Sequence, residues 1–179
     1  MKRSKLLIVD GYNLLNAREG ALEGTLADAR DRLTALLEDY AGYSGQKVVL
    51  VFDAWLSDRL QRTSEEKGPL TIVYTRKGET AVHYIERMCE SYAHDVEVGR
   101  LSIRVATSDG LEQTVVLGRG AERLSAREMW RELNESRAQA RQTAQERAGA
   151  SKKMPLIDRL PGEIRAKLEE MRRAGGRGE

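Results

Sequence analysis

Four aliphatic residues in a row, Leu6-Leu7-Ile8-Val9, run straight into Asp10-Gly11-Tyr12-Asn13. A strand carries an unbroken apolar run where both of its faces are buried, the situation of a parallel sheet covered by helices. The pattern recurs at Val48-Val49-Leu50-Val51-Phe52-Asp53 and at Ser102-Ile103-Arg104-Val105-Ala106-Thr107-Ser108-Asp109, so three strand-like runs each close on an aspartate. Open α/β sheets hold their chemistry at the carboxyl ends of strands, which makes Asp10, Asp53 and Asp109 candidate metal ligands. Three carboxylates on one sheet edge repel one another unless a divalent cation sits among them. The competing role for each aspartate taken singly is a helix cap or a turn.

Between these runs the apolar period changes from two to about 3.6. Thr25-Leu26-Ala27-Asp28 has the form of a capping box with Asp in the usual Glu place. Leu26, Leu33, Leu36, Leu37 and Tyr40 follow at helical spacing, and the helix is expected to stop near Gly45. The segment from Leu56 to Gly68 reads as a polar surface excursion, Leu70–Tyr74 as a strand, and Glu79 to about His94 as a helix. For Leu111–Leu117 a helix is favoured over a strand, because Asp109-Gly110-Leu111-Glu112 resembles an N-cap with an acidic residue behind it. A second box, Ser125-Ala126-Arg127-Glu128, opens a long polar helix reaching toward Arg147, and Pro161 sits near the start of a short amphipathic one. Strands alternating with helices predict right-handed crossovers and a three-layer α/β/α fold of Rossmann-like form with a mainly parallel sheet. The expected division is a domain over residues 1–130 and a basic helical extension over 131–179.

The net charge of +2 conceals an asymmetry. Residues 1–118 hold 15 Lys+Arg against 18 Asp+Glu, and residues 119–179 hold 15 against 10. An acidic site followed by a basic arm suits a polyanionic partner. Cys89 is the single cysteine, which excludes an internal disulfide and a thiolate zinc cluster, and its neighbours place it on an apolar helix face. No segment is long and apolar enough to span a membrane, so the expectation is a cytoplasmic protein without a membrane partner. Oligomeric state leaves no mark in the sequence. His83 and His94 show no ligand or triad spacing, and Trp130 reads as a packing anchor rather than a base-stacking platform. A dinucleotide-binding protein would share the alternation, but the first strand turns into Asp-Gly-Tyr-Asn rather than a glycine-rich phosphate loop.

Asp10-Gly11-Tyr12-Asn13, Val51-Phe52-Asp53-Ala54, Glu79-Thr80-Ala81 with Ile85-Glu86, Thr107-Ser108-Asp109 and the stretch from Gly120 to Glu128 resemble, in order and spacing, the YacP-like branch of the NYN domains. The resemblance covers nearly the whole chain and implies a PIN-like fold, endoribonuclease activity with Mg²⁺ or Mn²⁺, and for some members cleavage of mRNA on the ribosome. Asn13 matches the family's asparagine, whose amide orients a carboxylate, a metal-bound water or a phosphate oxygen. A turn or cap amide is its other role. Glu79 and Glu86 join Asp10, Asn13 and Asp109 as candidate catalytic residues, with Glu79, Val82 and Glu86 spaced for one helix face. The chain departs from the family pattern at Val82, where an acidic residue is expected. Losing that carboxylate weakens a metal site unless Glu79 or Glu86 covers for it, and an RNA- or ribosome-binding protein without cleavage is the alternative. Arg119, Arg123 and Arg127 bring three guanidinium groups toward the start of a helix, a place suited to RNA phosphates; a solvated helix start with Arg–Glu pairs is the plain alternative.

Overall fold

The computed structural model describes residues 3–18, 23–54, 60–108, 110, 120–153, 161–164, 166–167 and 170. By internal contacts the chain divides into two compact units, Met1–Ala138 and Gln139–Glu179.

The first unit is a six-stranded sheet with helices on both faces. Its elements in chain order are β1 Ser4–Asp10, α1 Gly11–Asn16, α2 Leu26–Ser44, β2 Lys47–Phe52, β3 Thr63–Lys67 and β4 Leu70–Tyr74. They continue with α3 Ala81–Ser91, α4 Ala93–Glu97, β5 Leu101–Ala106, β6 Glu122–Leu124 and the start of α5 Ala126–Lys153, whose residues from Gln139 onward belong to the second unit. The spatial order is β3-β4-β2-β1-β5-β6, parallel throughout except for the β3–β4 pair. β1 is central, and its residues alternate between two cores. Leu7 and Val9 pack with Leu33, Leu37, Leu50 and Trp130, while Leu6 and Ile8 pack with Val51, Ile85, Cys89 and Val105. Burial on both sides explains the unbroken apolar runs, and each fully buried Leu or Ile contributes about 1.5–3 kcal/mol of transfer free energy.

α2 begins where the capping box places it. Thr25 Oγ1 accepts from Asp28 N at 3.1 Å, and Asp28 Oδ2 accepts from Thr25 N at 2.9 Å. It ends at Gly45, whose φ of 65° is the left-handed cap that glycine adopts at little cost. α5 opens on the second box: the Glu128 carboxylate accepts from Ser125 N at 2.8 Å and from Ser125 Oγ at 2.6 Å.

Three expectations need correction. The polar excursion contains β3, an exposed edge strand of Thr63-Ser64-Glu65-Glu66-Lys67 that forms because β4 offers it a ladder, and its charges discourage further pairing. The helix expected from Glu79 to His94 starts at Ala81 behind an N-cap at Thr80, leaving Glu79 outside it, and breaks at Tyr92 before α4. With Glu79 off the helix, the shared face of Glu79, Val82 and Glu86 does not form. The stretch before α5 also holds a strand, β6, which pairs with Arg104–Ala106 of β5. The expected Leu111–Leu117 helix lies outside the described residues.

Candidate functional site at the sheet's switch point

From β1 the chain builds outward through β2 to β4, then crosses to the opposite side of β1 to lay down β5 and β6. The direction of construction reverses between β1 and β5, and the carboxyl ends of two such strands are where open α/β sheets bind their ligands. Asp10 ends β1, and Ala106-Thr107-Ser108 ends and follows β5.

Asp10 is 9 % exposed and caps α1, its Oδ1 accepting from Asn13 N at 3.0 Å. Its cap role and its place at the switch point therefore coincide. Gly11 follows because nothing larger fits: a β-carbon there would stand 2.3 Å from the Phe52 ring. That ring lies between Tyr12, at 5.1 Å between centroids, and Tyr74, at 5.7 Å, and supports the turn from below. Asn13 Oδ1 accepts from Ser108 N at 2.8 Å, and Ser108 Oγ accepts from Ala126 N at 3.0 Å. One amide and one hydroxyl thus clasp α1, the end of β5 and the start of α5. Trp130 strengthens the same junction, donating from Nε1 to Leu14 O at 2.8 Å, which bears out its reading as an anchor. Asp109 lies outside the described residues, one peptide beyond Ser108.

Asp53 stands one strand away, past the end of β2. Its Oδ1 accepts from Ala81 N at 2.5 Å and from the Thr75 hydroxyl at 3.5 Å, which fastens the start of α3 to the sheet. Burial is the main influence on its carboxyl and raises its pKa, opposed by the Ala81 and Thr75 hydrogen bonds. Glu79 is 8 % exposed, and its carboxylate is gripped by Arg62, with contacts of 3.2 and 2.5 Å, and by Arg87. Those guanidinium groups engage the oxygens that a metal would need. Glu86 is half-buried on α3, and Val82 is the second residue of that helix, next to the Ala81 N–H that reaches Asp53.

Of the three arginines expected to meet RNA, Arg119 lies outside the described residues, Arg123 is exposed on β6 and Arg127 is exposed in the first turn of α5. Glu128 is engaged with Ser125 rather than with Arg127. The helix start is also less open to phosphate than expected, since Ala126 N and Glu128 N already donate to Ser108 and Ser125. The Asn13–Ser108 clasp and the Arg62 grip on Glu79 escaped the sequence reading, as contacts across 95 and 17 residues have no local pattern. The one available signal for the clasp was the Asn at the end of Asp-Gly-Tyr-Asn, which needs a partner outside its own short turn.

Among the described residues no three His, Cys, Asp or Glu side chains gather as a metal cluster. Mg²⁺, however, is commonly held by only one or two carboxylates, its remaining positions going to water and substrate phosphate. Asp10 with Asp109 meets that requirement in donor chemistry. No helix among the described residues is long and apolar enough to cross a membrane.

The model of the YacP-like NYN domain family matches residues 7–173. Among curated proteins, the YacP protein of Bacillus subtilis (strain 168), named as uncharacterized, is 34% identical over 131 residues, covering 72% of this chain and 74% of its own length. A crystal structure of a single-substitution mutant of Rae1 (YacP) from Bacillus subtilis matches with a TM-score of 0.67 and 27% identity, over 93% of this chain and 99% of that one. A second structure of Rae1 (YacP) matches at 0.65 and 27% identity, over 98% of this chain and 93% of that one. The sheet order, the strand-end aspartate and this coverage agree: the chain belongs to the YacP-like NYN domain family, with that family's nuclease-like α/β fold.

Proposed function

We propose that the protein is a metal-dependent endoribonuclease that uses Mg²⁺ or Mn²⁺ to cut RNA, with mRNA at the ribosome as the substrate class. The observation that carries this reading is the edge where Asp10 caps α1 and Asn13 is tied to the residue preceding Asp109. Asp10 and Asp109 would hold the cation, with Asp53 the further candidate ligand and Glu86 a candidate catalytic group, Glu79 being engaged by Arg62 and Arg87. A bound divalent cation supplies charge shielding for the phosphate and an acidified water as nucleophile. The chain's own residues do the rest. With its Oδ1 committed to Ser108, Asn13 has its Nδ2 donors for a phosphate oxygen. The Asp10 cap and the Phe52 ring beneath Gly11 fix where that phosphate meets the edge. Arg119, Arg123 and Arg127 bind phosphates further along the strand.

A second reading, RNA or ribosome binding without cleavage, is favoured by Val82 and by the two arginines that occupy Glu79. One experiment separates the two: cleavage of naked and translated RNA with Mn²⁺, with Mg²⁺ and with chelator, for wild type, Asp10→Asn and Val82→Asp. Metal-dependent cutting by wild type that falls at least about a hundredfold in Asp10→Asn supports the enzyme. Cutting by Val82→Asp alone supports the binder, and unchanged cutting by Asp10→Asn refutes the site.

A further inference from the structure

The segment after β4 and the exposed side of α3 form a basic and aromatic groove on the other side of β1 from β6, which carries Arg123. Two adjoining hollows make it up. One of about 440 Å³ is bordered by Arg76, Lys77 and Arg87 against Glu79 and Glu86, and one of about 450 Å³ by Arg62, Tyr84, Arg87 and Tyr92, so that four cations face two carboxylates. Arg87 is their common wall.

The buried Glu79 carboxylate organises it. Arg62 and Arg87 both grip this single acid, yet their side chains stay 40% and 53% exposed. Two cations on one anion leave a positive excess, and each guanidinium has five N–H donors, more than Glu79 accepts. Tyr84 backs Arg62, whose guanidinium carbon lies 4.7 Å from the ring centroid. Arg62 is thus held on one side by a carboxylate and on another by a ring, while Tyr92 is exposed nearby. Among the described residues no ion pair holds Arg76 or Lys77. Pre-positioned cations beside an open aromatic face are the combination that binds single-stranded nucleic acid, whose phosphates pair while its bases stack.

The groove's position adds to the argument. Arg76 and Lys77 follow the carboxyl end of β4, the sheet edge that also carries Asp53 and Asp10, and β4 lies two strands from β1, roughly 10 Å away. We propose that this groove is a subsite for single-stranded RNA adjoining the cutting edge. Arg62, Arg87, Arg76 and Lys77 take backbone phosphates, Tyr92 stacks on a base, and Glu79 is a positioning residue that fixes the two arginines. The proposal rests on the nuclease reading for the meaning of that edge.

The test is fluorescence anisotropy of a fluorescein-labelled oligouridylate with the full chain in chelator, across a salt series, so that no cleavage intervenes. Arg62→Gln with Arg87→Gln is expected to weaken binding and to flatten the log–log salt slope by about 0.7 per lost phosphate contact. Arg76→Ala with Lys77→Ala, which leaves the Glu79 grip in place, flattens it likewise and decides the matter if the first pair fails to fold. Tyr92→Leu lowers affinity roughly tenfold with the slope unchanged. Wild-type affinity and slope in the Arg76/Lys77 and Tyr92 variants overturn the subsite, as does failure of wild type to bind the probe. Displacement of the probe by polyglutamate as effectively as by unlabelled RNA also overturns it, assigning the groove to an acidic protein segment. Loss of the nuclease reading looks different: no metal-stimulated cutting, with the salt-dependent binding intact.

Discussion

Arg104 is a cation in the middle of a strand, and Glu132 on α5 makes it tolerable there. Their contact is 2.5 Å, and the Tyr40 hydroxyl donates to the other Glu132 oxygen at 3.0 Å. Burial raises the Tyr40 pKa above 10.0, with the adjacent Glu132 charge adding to it. An acid whose folded pKa lies above its unfolded value contributes stability present below the unfolded pKa and lost as pH rises past it. Wild type should therefore lose stability from about pH 10 upward, while Tyr40→Phe lacks this component and is weaker by about 1 kcal/mol near neutrality, where it misses the hydrogen bond. Urea midpoints across that window check it; parallel pH profiles for the two proteins would contradict the assignment. Single residues differed in how far their sequence announced them. Asp10 was legible because an apolar run stops on it. Glu79 was not, since its surroundings come from Arg62, and nothing local ties the two together.

At the scale of elements, legibility followed whether an element's reasons are its own. α2 and α5 carry their start signals within four residues, and β1, β2 and β4 are apolar enough to declare themselves. β3 and β6 are strands by invitation: one is almost wholly exposed and the other buries only Leu124, so each exists through its neighbour's ladder. The α2 cap yields a prediction. Hydrogen bonds from the Thr25 hydroxyl and then from its backbone N–H lower the Asp28 pKa below 3.8. The resulting support for the helix is present above 3.8 and lost as pH falls below it. Amide exchange in the first turn of α2 should accelerate in acid relative to the middle of the helix, and Thr25→Ala should show that acceleration already at neutral pH. Equal protection of the first turn in both proteins at neutral pH would remove the box from the account.

For the whole molecule, both apolar clusters fall between Leu6 and Leu133, inside the first unit. A chain ending at Ala138 should melt cooperatively within a few degrees of the full protein, by roughly the shift expected when no core contact is lost, while its RNA affinity depends less steeply on salt. Calorimetry and a salt titration of the shortened chain read the two effects separately, and a collapse of the melting transition would show that residues beyond 138 belong to the folding unit. No apolar periodicity in the sequence marks the division after Ala138, which the count of charges alone could not place. The Asn13–Ser108–Ala126 clasp has a consequence in time as well as in space. A polypeptide lengthens from its amino end, so Asp10 emerges early, while the N–H that takes up Asn13 belongs to a residue 95 positions later, and the helix start that holds Ser108 follows later still. A nascent chain with β1 and β2 already made has Asp10, Asn13 and Phe52 but not the Ser108 N–H or the α5 start that hold Asn13 and Ser108 in place.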